Sequence, residues 1–215
     1  MKKKRKMVIV LIFMAMLLTL GGVGLYYWYN NTYYVSTDNA QVSADFVTIT
    51  PQISGKLVQL NAHEGDRVVK NEVIGRMAAT GTSGLDDALL RAPINGLIVK
   101  TEGNVGEFEP AGSPLALVMN PSRLYVTANI EETKLAKVKP GQPVDVNIDE
   151  FGGLTLRGQV ESLGEAANSA FSLLPSYSGG TFTKVVQTVP VKIALEKTGL
   201  PLRPGTSAVV KIRVK

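Results

Sequence analysis

A short pattern occurs twice in this chain and limits its possible folds more than any other feature. Segment 53–58 (ISGKLV) is matched by segment 94–99 (INGLIV). Segment 64–66 (EGD) is matched by segment 102–104 (EGN) at a slightly shorter spacing, which predicts a three-residue indel between the copies. Apolar residues alternate with turn residues in each copy, which predicts short strands joined at glycines. Neither copy alone can bury a two-sided core, so we expect both to pack about a pseudo-twofold axis.

The repeated pattern resembles the split biotinyl/lipoyl-like domain, a flattened β-sandwich made of two interlocked half-motifs. In the carrier members of that fold, the hairpin between the halves presents a lysine that takes the cofactor. Here that hairpin is segment 78–90, which contains no lysine, and the nearest lysines are Lys70 and Lys100. We therefore expect no cofactor and no swinging-arm carrier function.

Residues 1–29 have the pattern of a membrane anchor. A basic tail with five cations, residues 1–6, precedes an uncharged run, residues 7–29. At a rise of about 1.5 Å per residue, a helix of that length covers roughly 34 Å, enough for a hydrocarbon core of about 30 Å. The positive-inside rule then predicts a cytoplasmic N-terminus and extracytoplasmic domains after the span. A cleaved signal peptide is the alternative, because residues 7–20 have the length of its apolar region.

Aromatic residues end the apolar run. They are Tyr26, Tyr27, Trp28 and Tyr29. Aromatic side chains are enriched where a membrane meets water, so we expect these four at the outer interface. The polar, turn-prone residues 30–45 that follow predict a linker between the membrane and the next domain.

Charge and cysteine content exclude several classes of function. The five cations of the tail account for the whole charge excess, because the rest of the chain has 18 basic and 18 acidic residues. The basic balance therefore does not indicate a nucleic-acid surface. The chain has no cysteine, which excludes disulfides, thiolate metal sites and cysteine nucleophiles.

Several segments resemble the membrane fusion proteins, also called periplasmic adaptor subunits. The matching segments are 37–42 (TDNAQV), 47–55 (VTITPQISG), 85–96 (LDDALLRAPING), 169–175 (SAFSLLP) and 184–191 (KVVQTVPV). The first two resemble the start of the first half-motif, and the third resembles the start of the second. The last two resemble the β-barrel domain of the EmrA-type branch of multidrug-efflux adaptors. The resemblance covers roughly residues 36–215.

The connection between the two half-motifs departs from the usual pattern of that family. Most such adaptors insert a long α-helical hairpin there, whereas segment 78–90 is far too short to form one. Two antiparallel helices of about six residues each would extend only about 9 Å. The chain is therefore expected to be a short form, suited to a single-membrane envelope or to a differently built partner.

Well-spaced strands are predicted after Ser122. They are segments 124–130, 144–148, 154–160, 189–195 and 210–214, most of them alternating apolar and polar residues. Five or six such strands suggest a small barrel or sandwich. A short helix is predicted over 131–138, with acids in its first turn and lysines in its last.

The expected fold class is mainly β. Its predicted parts are a basic tail (1–6), a transmembrane helix (7–29), a linker (30–45), a lipoyl-like domain (46–119) and a β-barrel domain (120–215).

A long loop, 163–183, interrupts the strands of the predicted barrel. Long loops inside compact domains are usually functional, and this one carries apolar side chains among serines and glycines. The candidate partner-contact residues are Phe171, Ser172, Leu173, Leu174, Pro175, Tyr177 and Phe182. The alternative is that they form a lid closing the end of the barrel, because apolar side chains mark an interface only if they stay exposed.

The sequence offers little material for catalysis. Its single histidine, His63, lies in a predicted turn without a nucleophile elbow, so a hydrolase using His63 is the weaker hypothesis. One histidine and no cysteine also leave a transition-metal site without its usual ligands. We therefore expect no catalytic, cofactor-binding or metal-binding residues.

The resemblance implies a non-catalytic adaptor of a multidrug efflux complex. Such a protein is membrane-anchored, works with an inner-membrane transporter and binds no nucleic acid. The EmrA-type match favours a transporter of the major facilitator class, with an ABC transporter as the alternative. A homo-oligomer is expected because family members form rings. A second hypothesis is an envelope-anchored module that binds an apolar solute.

Overall fold

The computed structural model of the chain describes residues 2–79, 88–152, 154–168, 186–196 and 198–215. The α-helices within these residues are α1 (Lys2–Tyr33) and α2 (Glu132–Leu135). The strands are β1 (Tyr34–Ser43), β2 (Phe46–Ile49), β3 (Gly55–Leu60), β4 (Arg67–Val68), β5 (Val73–Ala79), β6 (Leu89–Arg91), β7 (Gly96–Thr101), β8 (Phe108–Glu109), β9 (Ala116–Met119), β10 (Tyr125–Glu131), β11 (Pro143–Ile148), β12 (Thr155–Leu163), β13 (Thr188–Leu195) and β14 (Ser207–Arg213).

The chain divides into two compact units. The barrel unit consists of Met1–Gln41, Val126–Glu196 and Ser207–Lys215. The sandwich unit consists of Val42–Tyr125 and Lys197–Thr206. The sandwich unit thus combines one long segment with a second, short segment from near the C-terminus.

Two four-stranded sheets form the sandwich unit, and each draws strands from both copies of the repeat. Sheet I has the order β2-β9-β7-β4, and sheet II has the order β6-β5-β3-β8. Exchanging β2 with β6, β3 with β7, β4 with β8 and β5 with β9 converts one order into the other. The predicted interlocked half-motifs and their pseudo-twofold relation are therefore confirmed.

The backbone hydrogen bonds show that positions in the first copy correspond to positions in the second copy at one constant spacing along the chain. This spacing, or offset, is the one that separates position 57 from position 98. The Gly65 amide donates to the Ile98 carbonyl at 2.8 Å, and the Gly106 amide donates to the Leu57 carbonyl at 2.7 Å. Both glycines have positive φ, +94° and +101°, a conformation that glycine adopts without steric cost. The predicted three-residue indel is wrong, because Gly65 corresponds to Gly106 and not to Gly103. Segments 64–66 (EGD) and 102–104 (EGN) are similar in sequence but do not occupy corresponding positions.

The core of the sandwich unit repeats with the same offset. Its buried pairs are Ile49 with Leu90, Leu57 with Ile98, Ile74 with Leu115 and Met77 with Val118. Leu57 and Ile98 have no exposed surface at all. Fully burying a side chain of this size contributes about 1.5–3 kcal/mol, so both copies are needed to build a stable core.

Six strands close the barrel unit in the order β1-β10-β13-β12-β11-β14. Inward positions alternate with outward ones, as in β10, where Val126, Ala128 and Ile130 are buried. The five strands predicted after Ser122 are confirmed, with shifts of a few residues at their ends. Closure removes the exposed sheet edges that a five-stranded open sheet would leave.

The sixth strand of the barrel is the segment expected to be a linker. Residues 30–33 continue α1, and β1 then pairs with β14 from Tyr34 to Gln41. A register shift between Thr37 and Ala40 breaks the period-two alternation of this strand. That irregularity made residues 30–45 look like a polar linker, and the linker prediction is wrong.

Two further elements are shorter than predicted. The helix expected over 131–138 is reduced to α2, because the Lys137 and Val138 amides bond to carbonyls three residues back and form turns. The connection between the half-motifs is also shorter than the expected 78–90. Since β5 ends at Ala79 and β6 begins at Leu89, only residues 80–88 separate these strands.

Candidate functional site

The N-terminal helix presents apolar side chains on all sides. Residues Leu11–Tyr33 form a stretch of 23 residues long and apolar enough to cross a membrane. Every side chain from Leu11 to Tyr29 is exposed, so the rest of the chain does not enclose this stretch. A helix that is apolar all round needs a lipid or protein environment to be stable.

The four aromatic residues expected at the membrane surface lie in the C-terminal part of α1 and are all exposed. The rings of Tyr26 and Tyr27 meet edge to face at a centroid distance of 6.2 Å. The ring of Tyr29 lies closer to that of Tyr33, at a centroid distance of 4.7 Å. This contact connects the four aromatic residues to the residue before β1. Aromatic contacts of this kind contribute about 0.5–1.5 kcal/mol beyond burial.

Lysines of the barrel unit lie beside this end of α1. Lys137 Nζ donates to the Asn31 carbonyl at 3.1 Å, where the helix has run out of intrahelical donors. Lys211 Nζ sits 4.2 Å from the centre of the Tyr34 ring. Lys134, Lys137 and Trp28 contribute to a cleft of about 410 Å³. Sequence reasoning missed this contact because Asn31 and Lys137 are far apart along the chain.

Hydrogen-bonded asparagine side chains, here called the asparagine ladder, lie near the start of the segment that was predicted as a long loop, 163–183. Asn168 Nδ2 donates to Asn129 Oδ1 at 2.9 Å and to Thr188 Oγ1 at 3.1 Å. Asn129 Nδ2 in turn donates to Asn39 Oδ1 at 3.0 Å. The ladder connects β1, β10 and β13 and ties the first residues of the loop to the barrel wall. Nothing in the sequence pattern singled out these side chains.

The candidate partner-contact residues lie outside the described residues. They are Phe171, Ser172, Leu173, Leu174, Pro175, Tyr177 and Phe182. Their role as a contact surface or a barrel lid therefore stays a prediction.

The single histidine lies on an exposed turn of the sandwich unit. His63 Nδ1 is 3.4 Å from Asp66 Oδ2, and the His63 backbone amide donates to the same carboxylate oxygen at 2.8 Å. These contacts close the turn before β4. In the part of the chain that the structure describes, no group of three or more His, Cys, Asp or Glu side chains is placed to hold a metal ion.

The outer faces of the two sheets differ although their strands correspond. On sheet I, neighbouring strands align Arg67, Leu97, Met119 and Phe46 in one row. On sheet II, the corresponding row contains Phe108, Lys56 and Ala78. Leu97 and Met119 are shielded from solvent, whereas Phe108, Lys56 and Ala78 are exposed.

Segment 198–206 accounts for the shielding of sheet I. It lies in the sandwich unit and lines a cleft together with the outer side chains of that sheet. The Gly205 amide donates to the Val42 carbonyl at 2.8 Å, and the Val42 amide donates to the Thr206 carbonyl at 2.9 Å. Leu202 is only 9% exposed, so this segment is packed and not merely adjacent.

The corresponding strands also differ in charge. Lys100 Nζ contacts Glu102 Oε1 at 2.7 Å on the strand of sheet I, and at the matching positions of sheet II Gln59 Nε2 donates to Asn61 Oδ1 at 2.9 Å. The hydrogen bond with the Glu102 carboxylate, supported by the attraction of its charge, raises the pKa of Lys100. The same contact is therefore ionic in one copy and neutral in the other.

Comparison with known proteins identifies relatives of both units. Residues 124–212 match the model of the YknX-like beta-barrel domain. The chain is 38% identical over 183 residues to YhbJ of Bacillus subtilis (strain 168), a protein named as a putative efflux system component, covering 85% of this chain and 80% of YhbJ. It is 30% identical over 195 residues to the multidrug export protein EmrA of Escherichia coli (strain K12), covering 85% of this chain and 50% of EmrA.

The fold also recurs among solved structures. The structure of the membrane fusion protein Spr0693 from Streptococcus pneumoniae R6 superposes with a TM-score of 0.61 and 13% identity, covering 85% of this chain and 99% of that one. At this identity the likeness concerns the fold alone. The chain thus spans most of one relative in sequence but only half the length of EmrA.

Proposed function

Because this chain belongs to the membrane fusion protein family of efflux adaptors, we propose that it is the adaptor subunit of a drug-export system. In that role it couples an inner-membrane transporter to export across the envelope and performs no chemistry itself. The observation that carries the proposal is the 38% identity to an efflux system component along 85% of the chain. The short connection of residues 80–88 makes it a form without the long helical hairpin.

The anchor and the barrel define how such an adaptor sits on the membrane. We place the N-terminus in the cytoplasm and both units outside, with Tyr26, Tyr27, Trp28 and Tyr29 at the outer interface. Lys137, bonded to the Asn31 carbonyl, then lies at the level of the lipid headgroups. This placement supports a barrel held beside the transporter at the membrane surface.

The predicted loop 163–183 is the proposed contact with the transporter or with a neighbouring adaptor. Its apolar residues Phe171, Leu173 and Leu174 have the character of contact residues. The asparagine ladder ties Asn168, near the start of this segment, to β1, β10 and β13. A transporter of the major facilitator class and a homo-oligomeric ring are the partners proposed.

Co-purification tests this function. The protein is co-expressed with a major facilitator transporter of the same organism and extracted in a mild detergent. We expect the transporter to be retained at near-stoichiometric amounts. Repeated absence of the transporter after mild extraction contradicts the proposal.

A loop variant tests the contact surface separately. Replacing Phe171, Leu173 and Leu174 together by Ser should lower transporter retention at least fivefold, because the apolar contact area is removed. The matched control is Leu154→Ser, which removes an exposed apolar side chain elsewhere on the barrel unit. Equal retention by both variants would assign the contact to another surface.

A histidine variant tests the absence of catalysis. The change His63→Ala should leave drug resistance unaltered, because an adaptor needs no general base. Loss of resistance with an intact complex would instead support a hydrolase.

A further inference from the structure

The sandwich unit contains a cleft for which the adaptor role gives no use. It lies between the outer face of sheet I and segment 198–206, and all of its lining residues belong to this unit. Its volume is about 890 Å³. Pockets for small organic ligands typically measure about 300–1,000 Å³, so the cleft has room for one drug-sized molecule.

The walls of the cleft are mainly apolar. Leu97, Leu117 and Met119 of sheet I form the floor, and Leu200 and Leu202 of segment 198–206 form the opposite wall. Leu97 and Met119 belong to the row that runs across all four strands of sheet I. Three steps of about 4.8 Å make this row about 14 Å long, which matches an extended alkyl chain of about ten to twelve carbons.

The ionisable side chains that line the cleft are basic. They are Arg67, Lys100 and Arg203, and no carboxylate is among the described residues that line it. Lys100 is already paired with Glu102. Arg67 lies at one end of the row on sheet I, whereas Phe46 lies at the other end. The row therefore has a cationic end and an apolar end, which suits a molecule with an anionic head and an aliphatic tail.

The outer face of sheet II has the same strand arrangement as that of sheet I but lacks the apolar residues that line the cleft. With the constant offset between the copies, Lys56 stands where sheet I has Leu97, and Arg76 stands where it has Leu117. Both of these cationic side chains are exposed. The apolar floor thus results from residues particular to the second copy of the repeat, and not from the symmetry of the sandwich.

We propose that this cleft binds an amphipathic organic anion. Its aliphatic tail lies along Leu97 and Met119 toward Phe46, and its acidic head group pairs with Arg67. This binding does not depend on contact with a transporter, so it can be tested independently of the adaptor role.

Photolabelling of the full-length protein in phospholipid nanodiscs provides the test. The probe is dodecanoate with a diazirine at the end of its tail, and mass spectrometry locates the labelled peptide. We expect labelling of residues near Phe46 and Met119, at the apolar end of the cleft. An excess of unlabelled dodecanoate should abolish it, whereas dodecyltrimethylammonium, with the same tail and a cationic head, should not compete.

Three variants connect the labelling to the proposed contacts. Arg67→Glu and Leu97→Lys should each lower cleft labelling at least fivefold, and the milder Arg67→Gln should lower it as well. The control Arg76→Glu makes the same charge change on the exposed face of sheet II and should leave labelling unchanged. A melting curve for each variant confirms that the sandwich is folded.

Three results would overturn the proposal. The first is labelling confined to α1 and lipid, which would mean that segment 198–206 only covers the sheet. The second is equal competition by dodecyltrimethylammonium, which would show that charge is not recognised. The third is cleft labelling unaffected by Arg67→Gln and Arg67→Glu in folded protein. Retention of the transporter is measured in parallel, so failure of the cleft and failure of the adaptor role are distinguished.

Discussion

The two sheets of the sandwich unit are alike inside and different outside. Four pairs of their large buried residues correspond, as Leu57 does with Ile98. Their outer faces do not, because Leu97 on sheet I corresponds to the exposed Lys56 on sheet II. Inward positions share one core and must remain complementary, whereas outward positions meet different surroundings.

The difference between the two outer faces shows which part of a symmetric fold is free to change. Segment 198–206 covers one outer face and turns it into a cleft. The other face keeps Val58 and Phe108 exposed, at 50% and 62%. The half-motifs therefore contribute matching residues to one shared core, while their outer surfaces differ.

The largest expected effect tests the equivalence of the two interiors. Leu57→Ala and Ile98→Ala should each lower the free energy of unfolding by about 2–5 kcal/mol, because both leave a cavity in one shared core. Urea unfolding of the full-length protein in detergent, followed by far-UV circular dichroism, measures this. A loss confined to one of the two variants would show that one half dominates the stability of the sandwich.

Exchanging outer residues between the sheets should have a smaller and one-sided effect. Leu97→Lys places a charge under segment 198–206 and should cost about 1–3 kcal/mol. Lys56→Leu should change stability by less than about 0.5 kcal/mol, because the site is exposed. It enlarges the apolar patch with Val58 and Phe108, so sedimentation velocity should show more self-association. Equal destabilisation by both changes would mean that sheet I is not shielded.

The corresponding turn glycines should respond alike. Gly65→Ala and Gly106→Ala force a side chain into positive φ and should each cost about 1–2 kcal/mol in the same unfolding assay. Gly199→Ala is the control, since Gly199 is not among the glycines with positive φ and no atom lies within 4 Å of a Cβ added there. Tolerance of alanine at Gly106 but not at Gly65 would contradict the constant offset between the copies.

The smallest expected effect concerns the ion pair of Lys100 with Glu102, which is replaced by a neutral contact of Gln59 with Asn61 in the other copy. Glu102→Gln should lower the pKa of Lys100, because the carboxylate that raises it is removed. A raised pKa favours the folded state at pH values below the ordinary 10.5, and this contribution disappears as the pH rises through the folded pKa. NMR titration of the lysine side chain measures the shift.

A matched change in the other copy controls the ionic contact. Asn61→Ala breaks the neutral contact with Gln59 and should leave the pKa of Lys100 unchanged. An unaltered pKa of Lys100 in Glu102→Gln would show that the contact does not persist in solution.

Several features of this protein follow from local pattern. The internal repeat predicted two interlocked halves because turn glycines and alternating apolar residues reveal strands regardless of what they pack against. The charge-free run after the basic tail predicted a helix long enough to span a membrane for a similar reason, since length and polarity are local properties. The barrel strands were predicted equally well wherever alternation is regular.

Other features depend on contacts between residues distant in sequence. The strand β1 closes the barrel only because β14 pairs with it across a bulge, and its own pattern suggested a linker. The correspondence of Gly65 with Gly106 became visible through reciprocal hydrogen bonds with Leu57 and Ile98. The cleft on sheet I exists because segment 198–206 returns to strands that lie much earlier in the chain. Periodicity reports the two faces of a strand, but it carries no information about which distant segment will cover the outer one.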